Sequence, residues 1–83
     1  MSISEYRLPY EDYFTLSLPN NCTFLCVKVK DNVPFLYVAS HSSVLSCYSF
    51  KMVLPGVDVN FSEEKYIDAL VIDQHTYFLF EVL

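Results

Sequence analysis

The chain has 83 residues, a net charge of −5 from ten carboxylates against five basic residues, and a hydrophobic content of 53 % that includes seven tyrosines and seven phenylalanines. This length predicts one domain, residues 1–83, near the lower size limit for folding without disulfides, metals or partners. The acidic balance argues against a nucleic-acid partner, and no apolar run reaches the roughly 20 residues that span a bilayer. We therefore expect neither a nucleic acid nor a membrane as partner.

Two short strands are predicted before the first long apolar stretch. Residues 3–8 form the first, which stops at Pro9. Residues 13–18 form the second, because apolar and polar side chains alternate along them. The turn-forming sequence Pro-Asn-Asn at 19–21 closes this strand.

Residues 22–40 predict a hairpin around which the other strands are arranged. Its turn is Asp-Asn-Val-Pro at 31–34, because Asp and Asn tolerate turn conformations and proline is accepted at the start of a strand. On the first arm, Leu25 and the two valines point to one side and the two lysines to the other. The second arm, 35–39, is apolar on both faces, which is typical of a central strand or of a strand covered on both sides.

The following segment predicts a polar break, a strand and an irregular crossing, the last at 57–61. The break is 40–43, which we interpret as a hairpin tip, and the strand is 44–53. Gly56 is the only glycine, and it marks the one position expected to need positive φ or close backbone approach. Residues 62–65 predict one helical turn with Ser62 as its N-cap.

Residues 66–72 and 76–82 predict a closing hairpin with its tip at 73–75. Helical periodicity longer than one turn is absent. The fold class is therefore all-β: a small antiparallel sandwich, roll or partly open barrel of six or seven short strands, with one helical turn near 62–65.

Seven short motifs follow one another with a characteristic order and spacing. They are Tyr6-Arg7-Leu8, Leu18-Pro19, Phe24-Leu25-Cys26-Val27, Leu36-Tyr37-Val38-Ala39, Phe50-Lys51-Met52-Val53 leading to Gly56, Tyr66-Ile67-Asp68 and Tyr77-Phe78-Leu79-Phe80-Glu81. From about Glu5 to Glu81 the chain thereby resembles a family of small uncharacterised phage and prophage proteins, a domain of unknown function. It departs from that family in having no tryptophan and in keeping only the glycine of a Gly-Thr-Gly turn. The resemblance implies a phage origin and an all-β fold, and it implies no activity.

The sequence contains residue types that occur in two kinds of chemical site, a zinc site and a catalytic serine. Cys22, Cys26, His41 and Cys47 are zinc-ligand types, but strand positions four apart lie about 13 Å apart along the axis. The serines that flank His41 lack the glycine-rich turn that supplies an oxyanion hole. We therefore predict no metal, no cofactor and no enzymatic activity.

The aromatic residues on the strands are the best candidates for binding. Some of them belong to the core, and those left outside would anchor an interface, because tyrosine buries a large area at a small cost in rotamer entropy. The candidate anchors are Tyr37, Tyr48, Tyr77 and Phe78. The candidate rim consists of the loop residues His41, Asp58, Asn60 and Phe61.

These observations favour a non-catalytic binding protein that forms a homo-oligomer, and the family resemblance implies that it is encoded by a phage and acts in the host cytoplasm. No secretion signal precedes the first strand, and an odd count of three cysteines fits a reducing compartment. The predicted partner is a host protein of antiviral defence, which the chain would inhibit by covering its surface. One alternative is an oligomeric sponge for a small signalling nucleotide, held where Arg7, Lys28, Lys30 or Lys51 converges with aromatic rings. Another is a virion or assembly component.

Overall fold

The computed structural model describes residues 1–83 and contains seven β-strands and no helix. No segment therefore has the helical length and apolar character required to cross a membrane. The strands confirm the predicted all-β class. They are β1 (Ser2–Arg7), β2 (Tyr13–Pro19), β3 (Thr23–Lys30), β4 (Val33–Ser40), β5 (Leu45–Val53), β6 (Glu64–Ile72) and β7 (His75–Val82).

The strands form two antiparallel sheets that face each other as a sandwich. Sheet A has three strands in the order β1-β4-β3, and sheet B has four in the order β2-β5-β7-β6. The predicted central hairpin is β3-β4, and β4 lies in the middle of sheet A as its apolar character indicated. The predicted closing hairpin is β6-β7. Of the predicted alternatives the sandwich describes the fold, and the sheets do not close into a barrel, because each sheet keeps two edges.

The core lies between the sheets and is filled from the inward side of each strand. The Phe50 ring is fully buried, stacks on Phe14 at 5.5 Å and meets the edge of Phe24 at 5.5 Å between ring centroids. The alternation predicted along β2 is confirmed, and it places Phe14 and Leu18 inward. The buried cluster is Leu8, Phe14, Leu18, Val27, Leu36, Val38, Phe50, Met52, Leu70, Ile72 and Leu79.

The two sheets meet where the edge strands β3 and β6 approach each other. The backbone N–H of Val27 on β3 donates to Oδ2 of Asp68 on β6 at 2.7 Å. Each strand has a bulge beside this contact, at Leu25 in β3 and at Ile67 in β6. A side-chain carboxylate therefore satisfies a donor that a flat edge strand would leave without a partner.

The bulge in β3 overturns the predicted facing of Leu25. Because one extra residue lies between Phe24 and Cys26, the alternation shifts by one position on its N-terminal side. Leu25 is consequently 46 % exposed, whereas Phe24 packs against the core.

The hairpin turns carry most of the positive φ angles in the chain. Asp31 and Asn32 have φ of 52° and 60°, and Asp73 and Gln74 have φ of 48° and 69°. Two positive φ values in a two-residue loop define the type I′ turn, whose twist matches that of the flanking strands. Gly56 does have positive φ, at 92°, but the expectation that it is the one such position is wrong.

Two predicted local structures are corrected by the topology. Residues 40–43 are not a hairpin tip, because they connect β4 of sheet A to β5 of sheet B. Residues 62–65 are not helical, since Glu64 already begins β6. Asn60, not Ser62, organises the turn there: its carbonyl accepts the N–H groups of Glu63 and Glu64, and its side chain accepts that of Ser62 at 3.1 Å.

Candidate functional site

The outer side of sheet B carries an aromatic row that crosses all four strands. Tyr13 of β2 pairs with Lys51 of β5, Lys51 with Phe80 of β7, and Phe80 with Tyr66 of β6. Paired residues of antiparallel strands present their side chains on the same face. We refer to this row, together with Phe61 of the β5–β6 connection, as the aromatic face.

Phe80 is the centre of the aromatic face and is buried although it points away from the sandwich core. Its ring meets Phe61 at 6.0 Å and Tyr66 at 5.7 Å, both edge to face. Only 5 % of Phe80 is exposed, whereas Phe61 is 74 % and Tyr66 48 % exposed. The connection 54–63 thus covers Phe80 and exposes a new ring in its place.

An ion pair between a buried carboxylate and a half-exposed lysine fixes this connection to the sheet. Glu64 is 7 % exposed, and its carboxylate contacts the ammonium group of Lys51 and accepts the backbone N–H of Asn60 at 2.9 Å. The hydrogen bond from Lys51 holds the pKa of Glu64 below its ordinary value. The aromatic face therefore presents little net charge at its centre.

Three carboxylates lie close in sequence to residues of the aromatic face and its groove. Asp12 adjoins Tyr13, Asp58 lies in the connection, and Glu63 follows Phe61; all three carboxylates are exposed. Beside Tyr13 and Val57 there is a shallow groove of about 280 Å³ with a mainly apolar lining. An apolar centre with a polar rim is the general form of a protein-binding surface, and here the rim is acidic.

The outer side of sheet A has different chemistry. Arg7 of β1 and Lys28 of β3 both pair with Phe35 of β4, so these three side chains form one row across the sheet. The ammonium group of Lys30 lies 4.5 Å from the centroid of the Phe35 ring. We refer to these residues, with the adjacent Tyr37, as the cationic face.

A single carboxylate organises the middle of the cationic face. Oε2 of Glu5 accepts hydrogen bonds from Lys30 and from the Tyr37 hydroxyl, each at 2.8 Å. The Lys30 contact, followed by that of Tyr37, lowers the pKa of Glu5, and the same contact raises the pKa of Lys30. These bonds hold the Tyr37 ring in one orientation above the sheet.

The residues predicted from the sequence as binding anchors do not form one site. Tyr37 lies on the cationic face, and Phe78 lies half-buried on the outer side of sheet B, next to Phe80 along β7. Tyr48 and Tyr77 pack against the core. The Tyr48 hydroxyl donates to the Pro19 carbonyl at 3.3 Å, and burial raises the pKa of Tyr48.

The predicted rim residues are split between two loops. His41 is exposed in the β4–β5 connection, among serines, whereas Asp58, Asn60 and Phe61 lie together in the β5–β6 connection. Phe61 is a central residue of the aromatic face and not part of its rim. Tyr13 and Tyr66, which were not predicted as site residues, complete the row; only the strand register reveals them.

The side chains considered for zinc lie apart. Cys22 and Cys26 are partly buried, Cys47 is exposed, and all three are free thiols. No group of three or more His, Cys, Asp or Glu side chains is arranged to hold a metal ion. These side chains therefore do not form a ready set of ligands for a metal ion.

The chain belongs to a family described as a domain of unknown function (DUF7352), whose match covers residues 1–83. No curated protein and no solved structure matches the chain.

Proposed function

We propose that this DUF7352 protein is a non-catalytic binding protein that attaches to a partner protein through its aromatic face. We further propose that it is encoded by a phage and that the partner is a host protein of antiviral defence, which it inhibits in the host cytoplasm by covering a functional surface. The observation that carries the proposal is the exposed Phe61 ring, 74 % accessible, which is held on a folded platform.

The platform matters because a flexible aromatic loop would lose entropy on binding. Phe61 rests on Phe80, and the connection that carries it is fixed by the bonds of Glu64 to Lys51 and Asn60. A side chain already held in its binding orientation pays less of the ordering cost. Exposed aromatic anchors of this kind account for most of the affinity in many protein interfaces.

The charge around the aromatic face specifies the partner's chemistry. Asp12, Asp58 and Glu63 are exposed next to the apolar residues. A basic rim on the partner would match them and speed association at low salt. The proposed target surface is therefore apolar at its centre and basic at its edge.

The experiment compares immobilised wild type with Phe61→Ala and Tyr66→Ala in binding proteins from a host lysate. The matched control is Ile3→Ala, because Ile3 is also exposed, at 63 %, but lies on sheet A. We expect wild type and Ile3→Ala to retain the same specific protein, and the two aromatic-face variants to lose at least about tenfold in affinity for it. Retention that is equal in all four proteins, or no specific protein at low and moderate salt, would reject the proposal.

Homo-oligomerisation is a second use of the same face and is proposed with it. A second copy would cover Phe61 and Tyr66 until the partner displaced it. Light scattering on wild type and Phe61→Ala tests this, since only the wild type should exceed the monomer mass. A wild type that remains monomeric at high concentration would remove oligomerisation from the proposal and leave partner binding in place.

The nucleotide-sponge alternative receives support from one observation. Three of the four basic residues named for it, Arg7, Lys28 and Lys30, do lie together with aromatic rings. Lys51 lies on the other sheet and is paired with Glu64. No observation favours a virion or assembly component.

A further inference from the structure

The positive charge of this acidic chain is concentrated on one side of one sheet. Of the five basic residues in the sequence, three lie on the cationic face: Arg7, Lys28 and Lys30. Glu5 is the one carboxylate among the residues that pair on this side of sheet A. The net charge of the molecule is negative, but this side of sheet A is locally positive and attracts anions at short range.

Two of these three cations have no acidic partner. The ion pairs of the molecule are Lys30 with Glu5 and Lys51 with Glu64. Arg7 and Lys28 are exposed and take part in neither. They lie on opposite sides of Phe35, on the two strands that flank β4.

Two aromatic rings are arranged along the same central strand. Phe35 and Tyr37 are two positions apart on β4, so they point to the same side about 7 Å from one another. Both are partly exposed. Exposed aromatic rings on a sheet surface are platforms on which unpaired bases stack.

We propose that the cationic face binds a dinucleotide, with one base against Phe35, the other against Tyr37, and the phosphates contacted by Arg7 and Lys28. We choose a dinucleotide because the number of groups on the cationic face matches it. The two rings correspond to two bases, and the two unpaired cations correspond to the one or two phosphates of such a ligand. The guanidinium group of Arg7 suits a bidentate phosphate contact. This site is separate from the aromatic face and does not depend on it.

Longer and shorter ligands fit this face less well. None of the clefts of the molecule is lined by Arg7, Lys28, Phe35 or Tyr37, so a mononucleotide would be held on an open surface by one stacking contact. A longer strand would place additional phosphates beyond the two unpaired cations. The negative charge of the molecule, −5 in total, would repel these phosphates. The proposal therefore concerns a dinucleotide and not a nucleic-acid strand.

Lys30 covers the face of the Phe35 ring that a base would contact. Its ammonium group occupies the ring face at 4.5 Å and is otherwise bound to an exposed Glu5 carboxylate. Exposed ion pairs contribute little, so Lys30 can leave the ring when a base takes its place. It then becomes a third cation beside the bound phosphates.

The test is calorimetric titration at low salt with four probes: the dinucleotide pApA, AMP, pyrophosphate and an eight-residue oligoadenylate. Wild type is compared with Lys28→Gln, Arg7→Gln and Phe35→Leu. Lys65→Gln is the matched control, because it removes one charge from an exposed residue of the other sheet. Circular dichroism verifies that every variant is folded.

We expect pApA to bind at least about tenfold more tightly than AMP or pyrophosphate, because each stacked base contributes to the binding free energy. Lys28→Gln and Arg7→Gln should each weaken pApA about fivefold and Phe35→Leu about tenfold, whereas Lys65→Gln should change it by less than about twofold. Phe61→Ala should leave pApA binding unchanged, which separates this site from the proposed protein interface.

Four results would overturn the proposal. The first is that pApA does not bind at millimolar concentration, and the second is that pyrophosphate binds as tightly as pApA. The third is that Lys65→Gln weakens pApA binding as much as Arg7→Gln or Lys28→Gln does. The fourth is that the oligoadenylate binds much more tightly than pApA, beyond the increase expected from its larger number of dinucleotide registers. The last result would assign the face to a nucleic-acid strand.

Discussion

The aromatic face and the cationic face are the outer sides of two sheets with similar strand alternation, yet they have opposite chemistry. On sheet B the central outward ring, Phe80, is 5 % exposed and lies among other rings. On sheet A the central outward ring, Phe35, is only partly buried and lies among cations. The difference follows from the connections, because 54–63 crosses over sheet B and no loop crosses over sheet A in the same way.

The comparison shows that a crossover loop converts the outside of a sheet into a second small core. Phe61 supplies the ring that covers Phe80, and the Glu64–Lys51 pair fixes the loop end. An outer face without such a loop must be covered by long charged side chains, whose stems shield the rings while their charged ends stay in water. The two faces are thus suited to different ligands.

The largest expected effect is on stability and concerns the two central rings. Phe80→Ala should lower the free energy of unfolding by about 3 to 5 kcal/mol, since it empties a closely packed site. Phe35→Ala should cost about 1 kcal/mol, because its ring is only half-buried. Urea unfolding measures both, and equal costs would show that the crossover does not create a second core.

The second prediction concerns the contact that joins the sheets. Asp68→Ala removes the acceptor of the backbone N–H of Val27, a buried residue of the edge strand β3, which donates at 2.7 Å. We expect a loss of about 2 kcal/mol, the usual scale for a hydrogen bond to a charged group. The same urea titration applies to Asp68→Asn, which keeps an acceptor oxygen and should lose clearly less. If both variants match the wild type, the β3–β6 contact does not hold the sandwich together.

The third prediction uses pH to compare the ion pairs of the two faces. The pKa values of Glu5 and Glu64 are lowered, mainly by Lys30 and Lys51 respectively, from an ordinary value of 4.5. Each carboxylate therefore stabilises the fold above that value, and the contribution is lost as the pH falls through the lower folded pKa. Because Glu64 is buried and Glu5 exposed, Glu64→Gln should flatten the acid side of the melting-temperature profile more than Glu5→Gln does.

The pKa of one carboxylate, Glu81, is shifted in the opposite direction, which provides an internal check. Burial raises the pKa of Glu81 above 4.5, so its protonated form is favoured in the folded state. Its stabilising contribution is present below the ordinary pKa and is lost as the pH rises through the folded pKa. Glu81→Gln should consequently steepen the acid loss of stability, and a flattening would contradict the assigned sign.

Local sequence patterns predicted the local structure of this chain well. Alternation identified the inward residues of β2, and the Asp-Asn pair identified the β3-β4 hairpin, because both signals act over a few neighbouring residues. The pairing of β1 with β4 and of β2 with β5 was not predictable. These contacts join distant segments and depend on how both sheets close around the core.

The candidate sites were predicted only in part for the same reason. Tyr48 and Tyr77 lie on strands, as expected, but the register turns them toward the core. Phe61 was assigned to a rim because it is a loop residue, although the crossover places it over Phe80. The bulge at Leu25 gave no sequence signal, since no glycine or proline marks it.

The smallest expected effect compares the hairpin turns of the two sheets. The second turn position is Asn32 in sheet A and Gln74 in sheet B, with φ of 60° and 69°. Asparagine tolerates this conformation, whereas a longer side chain such as glutamine is strained in it. Gln74→Gly should therefore raise the free energy of unfolding by about 0.5 kcal/mol, because relief of strain exceeds the extra entropy of glycine in the unfolded chain. Asn32→Gly should leave it unchanged or slightly lower, since it also loses the weak contact between the Asn32 side chain and the Asp73 N–H at 3.5 Å. Thermal unfolding of both variants decides the point: if Asn32→Gly stabilises as much as Gln74→Gly, then strain at Gln74 is not what distinguishes the two turns.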